Sequence, residues 1–355
     1  PAVGLAEGYP QAERIEHDGF LMPGLVNAHT HLADLPLAQH KSFAKWLIAS
    51  IEANRTRRDD RERVIVRRLK GLLAEGVTTV ADFDVGPLSA VKSGVRRVVL
   101  AQVMGLGGTN EHISFDRTMP ALDDGAPGLH GIGAHSPFTL SRHLLKIITS
   151  RARTEKIPVH IHAAQSFAEM EFFYDSKGEI ADILFPYMGW KGEPLPHHKT
   201  PIGYLAAIGF LEIKPTLIGC VHLGQGDLEL IGKSGSKVVI VPRSDDRLGN
   251  GRAPLPDLIN RGIPVGIGTG GLAPNADLNL WKELSFAYEL FGRGGPKGVR
   301  SATLLYIATL GGAACLGMEQ EIGSLEPGKK ADFVLGEAEI DPADPEREDG
   351  RAAGA

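Results

Sequence analysis

A chain of 355 residues, 43% hydrophobic and 23% charged, can bury a full core, and an α/β barrel of about 250 residues fits inside it. Its net charge of -5 argues against nucleic acid or an anionic membrane as a partner. No apolar run approaches the roughly 20 residues of a membrane span, nothing near Pro1 reads as a signal peptide, and Cys220 and Cys315 stand outside any CxxC pair, which fits a reducing cytoplasm.

Residues 1–22 read as part of a small β lobe leading into a first barrel strand. That strand, around Leu25 and Val26, ends in His29-Thr30-His31. Side chains two apart on a strand share a face, so the two imidazoles project together, as ligands suited to zinc, iron or nickel. A helix is expected over 60–73, stopped by Gly76, then strands at Val77–Phe83 and Arg97–Val103. Ile132–Ala134 reads as a short strand, followed by a helix from the N-cap Ser141 to about Thr154. Val159–His162 is the next strand. An aromatic excursion over 166–199 follows, carrying Phe172, Phe173, Tyr174, Phe185, Tyr187 and Trp190. It suits a lid over a flat heterocycle or packing against a second copy in a homodimer.

Thr200-Pro201 opens a helix in the preferred N-cap/N1 order. Buried strands are expected at Thr216–Val221, Lys237–Val241 and Pro264–Gly268, with helices near 227–232, 254–261, 277–292 and 301–316. Ile322–Leu335 reads as a hairpin returning to the small lobe. This gives a (β/α)8 TIM-type barrel over 23–319, a small lobe from 1–22 and 320–340, and a disordered tail over 341–355.

Six phrases carry a resemblance. They are Pro23-Gly-Leu-Val-Asn-Ala-His-Thr-His31, Ala134-His-Ser-Pro-Phe-Thr-Leu140, Val159-His-Ile-His162, Val241-Pro-Arg-Ser244, Gly268-Thr-Gly-Gly-Leu-Ala-Pro-Asn275 and Gly323-Ser-Leu-Glu-Pro-Gly-Lys-Lys-Ala-Asp332. In this order, from about residue 19 to 335, the chain resembles the amidohydrolase superfamily, in its deaminase and chlorohydrolase-like branch. That branch includes deaminases of aminofutalosine, methylthioadenosine and S-adenosylhomocysteine. The resemblance implies one divalent metal, zinc or iron, held by His29, His31 and His162, and a substrate contact at His135. His160, two residues before His162, could share its face, but the family pattern favours His162.

Three positions depart from the pattern where the chemistry lies. The family's His-x-x-Glu is His162-Ala-Ala-Gln165, its strand-six His is Gly219, and its strand-eight Asp is Gly270. Neutral Gln165 cannot accept a proton as a carboxylate does, and losing one acid–base group costs about 10²–10⁴ in rate. The two glycines are expected to enlarge the pocket on the metal's far side. Pro-Arg-Ser-Asn becomes Pro242-Arg243-Ser244-Asp245, adding an acid at the end of strand seven.

The residues at or near the catalytic positions are Gln165, in place of the general base, and His222 and Asp245, with His135 and Arg243 for substrate. Each has a plainer alternative. The three histidines can be a hydrogen-bonded relic, His135 a loop cap, His222 a packed or loop residue, Asp245 a turn cap, and Arg243 a structural residue rather than a partner for a ligand carboxylate or phosphate. The leading expectation is a hydrolase acting on a non-peptide C–N bond of a small heterocycle or nucleoside. A metal-free lyase or isomerase, and a non-catalytic ligand-binding descendant, stand beside it.

Overall fold

The computed structural model describes residues 11, 13, 16–38, 42–56, 60–84, 93–106, 129–190, 192–292 and 298–337. The expected tail over 341–355 lies outside them. A strand β1 (Phe20–Pro23) precedes the barrel strands β2 (Leu25–His31), β3 (Val77–Asp84), β4 (Arg96–Val103), β5 (Leu129–Ala134), β6 (Val159–Ala163), β7 (Thr216–Gly219), β8 (Lys237–Ile240), β9 (Val265–Ile267) and β10 (Gly270–Gly271), and β11 (Phe333–Gly336) comes last. Strands β2 to β9 pair in parallel in chain order, and β10 returns to pair with β2, Gly270 opposite Thr30 and Gly271 opposite His31.

Only Gly268 and Thr269 separate β9 from β10, so the two edges of the sheet meet and β9 and β10 together make the eighth strand. A Cβ at Gly268 would lie 2.5 Å from the His29 carbonyl oxygen, so only glycine lets the backbone pass this close to β2. Asn27 seals the seam. Its Nδ2 donates to Thr269 Oγ1 at 2.8 Å, and its Oδ1 accepts from the Thr269 N–H at 3.1 Å.

The longer helices among the described residues are α1 (Phe43–Thr56), α2 (Arg61–Ala74), α3 (Arg142–Glu155), α4 (Phe167–Asp175), α5 (Pro201–Ala207), α6 (Gln225–Ser234), α7 (Pro242–Leu248), α8 (Leu255–Asn260), α9 (Leu280–Phe291), α10 (Ser301–Ile307) and α11 (Leu310–Leu316). Ser141 caps α3 by accepting the Leu144 N–H, and Thr200 caps α5 by accepting that of Gly203. Strand residues alternate between two cores. Leu25, Val80, Ile132 and Ile161 face the helices with Leu69, Leu144 and Ile148, while Val26, Ala81, Phe83, Leu100 and Ile218 form the inner cluster.

Three expectations change. Strand β7 ends at Gly219 rather than Val221, because Gly219 (φ +89°) and Cys220 (φ +52°) turn the backbone left-handed. The helix expected over 301–316 is two, broken at Ala308–Thr309, where Thr309 takes φ -127° and ψ -97°. Ile322–Leu335 is no hairpin. Its strand β11 pairs instead with β1, antiparallel from Phe20 opposite Gly336 to Pro23 opposite Phe333. The aromatic excursion splits: Phe172, Phe173 and Phe185 join the outer core, while Phe167, Tyr174 and Trp190 stay exposed.

Candidate functional site

The C-terminal end of β2 carries His29 and His31 inward, and β6 brings His162 beside them. Each offers one ring nitrogen, and these lie within 4.8 Å of one another. The His29 ring sits edge-on to both others, with centroids 4.9 Å from His31 and 4.8 Å from His162. Phe83, from β3, closes the floor at 4.8 Å from His29 and 5.6 Å from His162. His29 is 1% exposed, and among the described residues neither of its ring nitrogens has a hydrogen-bond partner. Burial, then the neighbouring imidazoles, pushes His29 and His162 well below the usual histidine range, so both are neutral bases. Buried polar atoms are nearly always partnered. A neutral imidazole with two orphaned nitrogens, facing two more imidazoles, fits a divalent metal.

Gln165 follows β6 in a turn where Ala164 takes φ +52°. Its Oε1 lies 3.0 Å from His162 Nδ1, and its Nε2 donates to Asp245 Oδ1 at 2.9 Å. Asp245, in the first turn of α7, also accepts from Asn250 Nδ2 at 3.1 Å. Burial raises this carboxyl to about 7, against the pull of both donated hydrogen bonds. Glu169, on α4, accepts the Gln165 backbone N–H at 3.0 Å, and burial pushes it up to about 8.

The glycines do not open a pocket. A Cβ at Gly219 would fall 2.6–2.9 Å from the Gln165 side chain, and one at Gly270 (φ +61°) 2.5 Å from Ser244 Oγ. Gln165 and Ser244 therefore fill the places that the sequence left open. Beside Gly270, Asn275 Nδ2 donates to the Thr269 carbonyl at 2.6 Å and to Ser244 Oγ at 3.1 Å.

The remaining candidates separate. His135, directly after β5, lies 5.8 Å from the His162 ring, and its Nδ1 is held by Thr139 Oγ1 at 2.9 Å and Ser136 Oγ at 3.1 Å. Burial lowers it to about 3. His222 stands apart, edge-on to Phe167 at 6.2 Å and against the Asn250 backbone. Arg243 turns to Asp277 at 2.9 Å and to Glu283 at 3.7 Å. His160 faces Phe83 from the inner side of β6.

The sequence pattern of the amidohydrolase family matches residues 20–349. The chain belongs to the amidohydrolase family. A 5-methylthioadenosine/S-adenosylhomocysteine deaminase from Pelotomaculum thermopropionicum is 31% identical over 352 residues, covering 94% of this chain and 76% of the relative. The crystal structure of an adenosine deaminase from Xanthomonas campestris with bound zinc is 26% identical, with a TM-score of 0.73 over 89% of this chain and 72% of that one. Helicobacter pylori aminofutalosine deaminase superposes with a TM-score of 0.81 at 18% identity, covering 95% and 84% of the two chains, which supports the amidohydrolase barrel as the fold.

Phe83, Glu169 and Asn250 escaped sequence reasoning. Phe83 reads as an ordinary strand residue. Glu169 carried a signal, since Ser166-x-x-Glu169 has the capping-box spacing. Asn250 has none, because its role depends on where Asp245 folds.

Proposed function

We propose that this amidohydrolase is a hydrolase that removes the amino group of a small adenine-type nucleoside, using one divalent metal, zinc or iron, held by His29, His31 and His162. The observation that carries the reading is His29, buried within a cluster of three imidazoles with both ring nitrogens orphaned. A metal there supplies Lewis acidity and makes water acidic enough to react near neutral pH. Replacing the amino group by oxygen takes up one water and releases ammonia, so protons must be held and handed on. Asp245, whose carboxyl burial pushes up to about 7, is the group that would hold one. His135, neutral and fixed through Nδ1, presents its other nitrogen to the substrate. Gln165, Gly219 and Gly270 hold no proton, so turnover is expected to be slow.

Elemental analysis after expression with zinc and iron, together with ammonia release from methylthioadenosine, S-adenosylhomocysteine and adenosine, tests this. About one metal per chain, lost in His29→Ala, together with ammonia release lost in Asp245→Asn, supports it. Metal without ammonia release from any of the three overturns the deaminase reading, and absence of metal overturns the hydrolytic one.

A further inference from the structure

Two of the sequence departures fall on the two ends of one hydrogen bond. Where the family's motifs read Glu and Asn, this chain has Gln165 and Asp245, and Gln165 Nε2 donates to Asp245 Oδ1 at 2.9 Å across 80 residues of sequence. The acid and the amide have changed places, and one of each remains. Gly219 leaves room for this pair, because a Cβ there would lie 2.6–2.9 Å from Cβ, Cγ and Cδ of Gln165.

The exchange has a consequence for His162. We infer that Gln165 and Asp245 act as one acid–amide pair that positions His162, with Asp245 deciding which way round the Gln165 amide sits and hence which ring nitrogen is free to bind. The inference rests on the metal reading above and deepens it. Asp245 Oδ1 accepts whether the carboxyl is ionised or carries its proton on Oδ2, so the Gln165 group facing it is its NH2. Asn250 Nδ2 donates to the same Oδ1 at 3.1 Å. The other end of the amide, Oε1, then faces His162 Nδ1 at 3.0 Å and accepts from it. With its proton on Nδ1, His162 keeps the Nε2 lone pair for a ligand bond. Fixing a ligating imidazole through its second nitrogen is worth about 10–100-fold in metal affinity.

The pair is held on both sides. Glu169 Oε2 accepts the Gln165 N–H at 3.0 Å and pins the turn that starts at the left-handed Ala164. Asn250 is tied back to α7 by its own N–H, which donates to the Asp245 carbonyl at 2.8 Å. Gln165 is 9% exposed and Asp245 2%, so water does not compete strongly for these bonds.

The test reads the His162 tautomer by long-range 1H–15N NMR on metal-free protein, and zinc affinity by competition with a chromophoric chelator. The wild type should show the proton on Nδ1. In Asp245→Asn the new amide accepts or donates, the Gln165 amide is free to turn round, and the Nε2–H tautomer should appear, with zinc affinity down about 10–100-fold. In the double variant Gln165→Glu, Asp245→Asn, the Glu carboxylate accepts from both His162 Nδ1–H and the Asn amide. The tautomer and most of the affinity should return. A loss of folding common to both variants would not give this rescue, and circular dichroism reports it separately. An unchanged tautomer in Asp245→Asn, or a double variant no better than the single one, overturns the inference. Failure of the wild type to bind zinc overturns the metal reading, while the NMR result still decides the pair.

Discussion

Gly219 and Gly270 stand where side chains once would have been useful, yet neither place takes one now. Both combine a positive φ with a neighbour inside contact distance, Gln165 in one case and Ser244 in the other. Gly219→Ala is therefore expected to destabilise the fold by about 1–3 kcal/mol and to displace Gln165. Gly270→Asp, which installs the residue the resemblance implies there, should cost a similar amount and gain no activity alone, because Ser244 occupies the space. Urea denaturation of both variants, with metal binding measured alongside, checks this. A neutral Gly270→Asp variant with tighter metal binding would show that Ser244 yields easily.

At the scale of elements, the turn from β6 into α4 matters most. Ser166 caps α4 by accepting the Glu169 N–H at 3.2 Å, and the Glu169 carboxylate reaches back to Gln165. Ser166→Ala should lose about 1 kcal/mol in thermal or urea unfolding, and weaken metal binding more than a cap elsewhere. Thr200→Ala at the start of α5 is the control for that comparison. The barrel strands were legible because buried parallel strands are near-continuous apolar runs, and Ser141 and Thr200-Pro201 carry their own capping chemistry. His29 and His31 were legible by their spacing on one strand, whereas His162 entered through the family pattern. The break between α10 and α11 was not legible. Thr309 Oγ1 turns back to the Leu305 carbonyl at 2.8 Å, and Gly311 then lets α11 press against β9, where a Cβ would meet the Val265 carbonyl oxygen at 2.4 Å. The second is a tertiary fact. So is the meeting of Gln165 with Asp245, which no local periodicity encodes.

Across the whole molecule, buried titratable groups of both kinds shape stability. His29 and His162 are lowered well below 6.5, and His135 and His160 to about 3. Between those values and 6.5 the unfolded chain binds more protons, so stability is present above 6.5 and lost as the pH falls. Asp245 is raised from 3.8 to about 7, and Glu169 and Glu283 from 4.5 to about 8. Here the folded state binds more protons, so stability falls as pH rises from about 4 to about 8. The metal-free protein should therefore be most stable near about pH 6 and weaken on both sides, as read by denaturation from pH 4 to 9. Zinc at a hundred times its dissociation constant should add about 2.7 kcal/mol, with the gain shrinking on the acid side as protons compete for the imidazoles. A gain independent of pH would place the metal away from the histidines.

The seam between β2 and β10 also sets a timetable. Asn27 waits for Thr269, a partner made 242 residues later. During synthesis, the edge of the first barrel strand emerges from the ribosome long before the segment that covers it. Unpaired parallel edges of this kind recruit other chains. The end of β2 that carries His29 and His31 gains its edge partner only when β10 arrives.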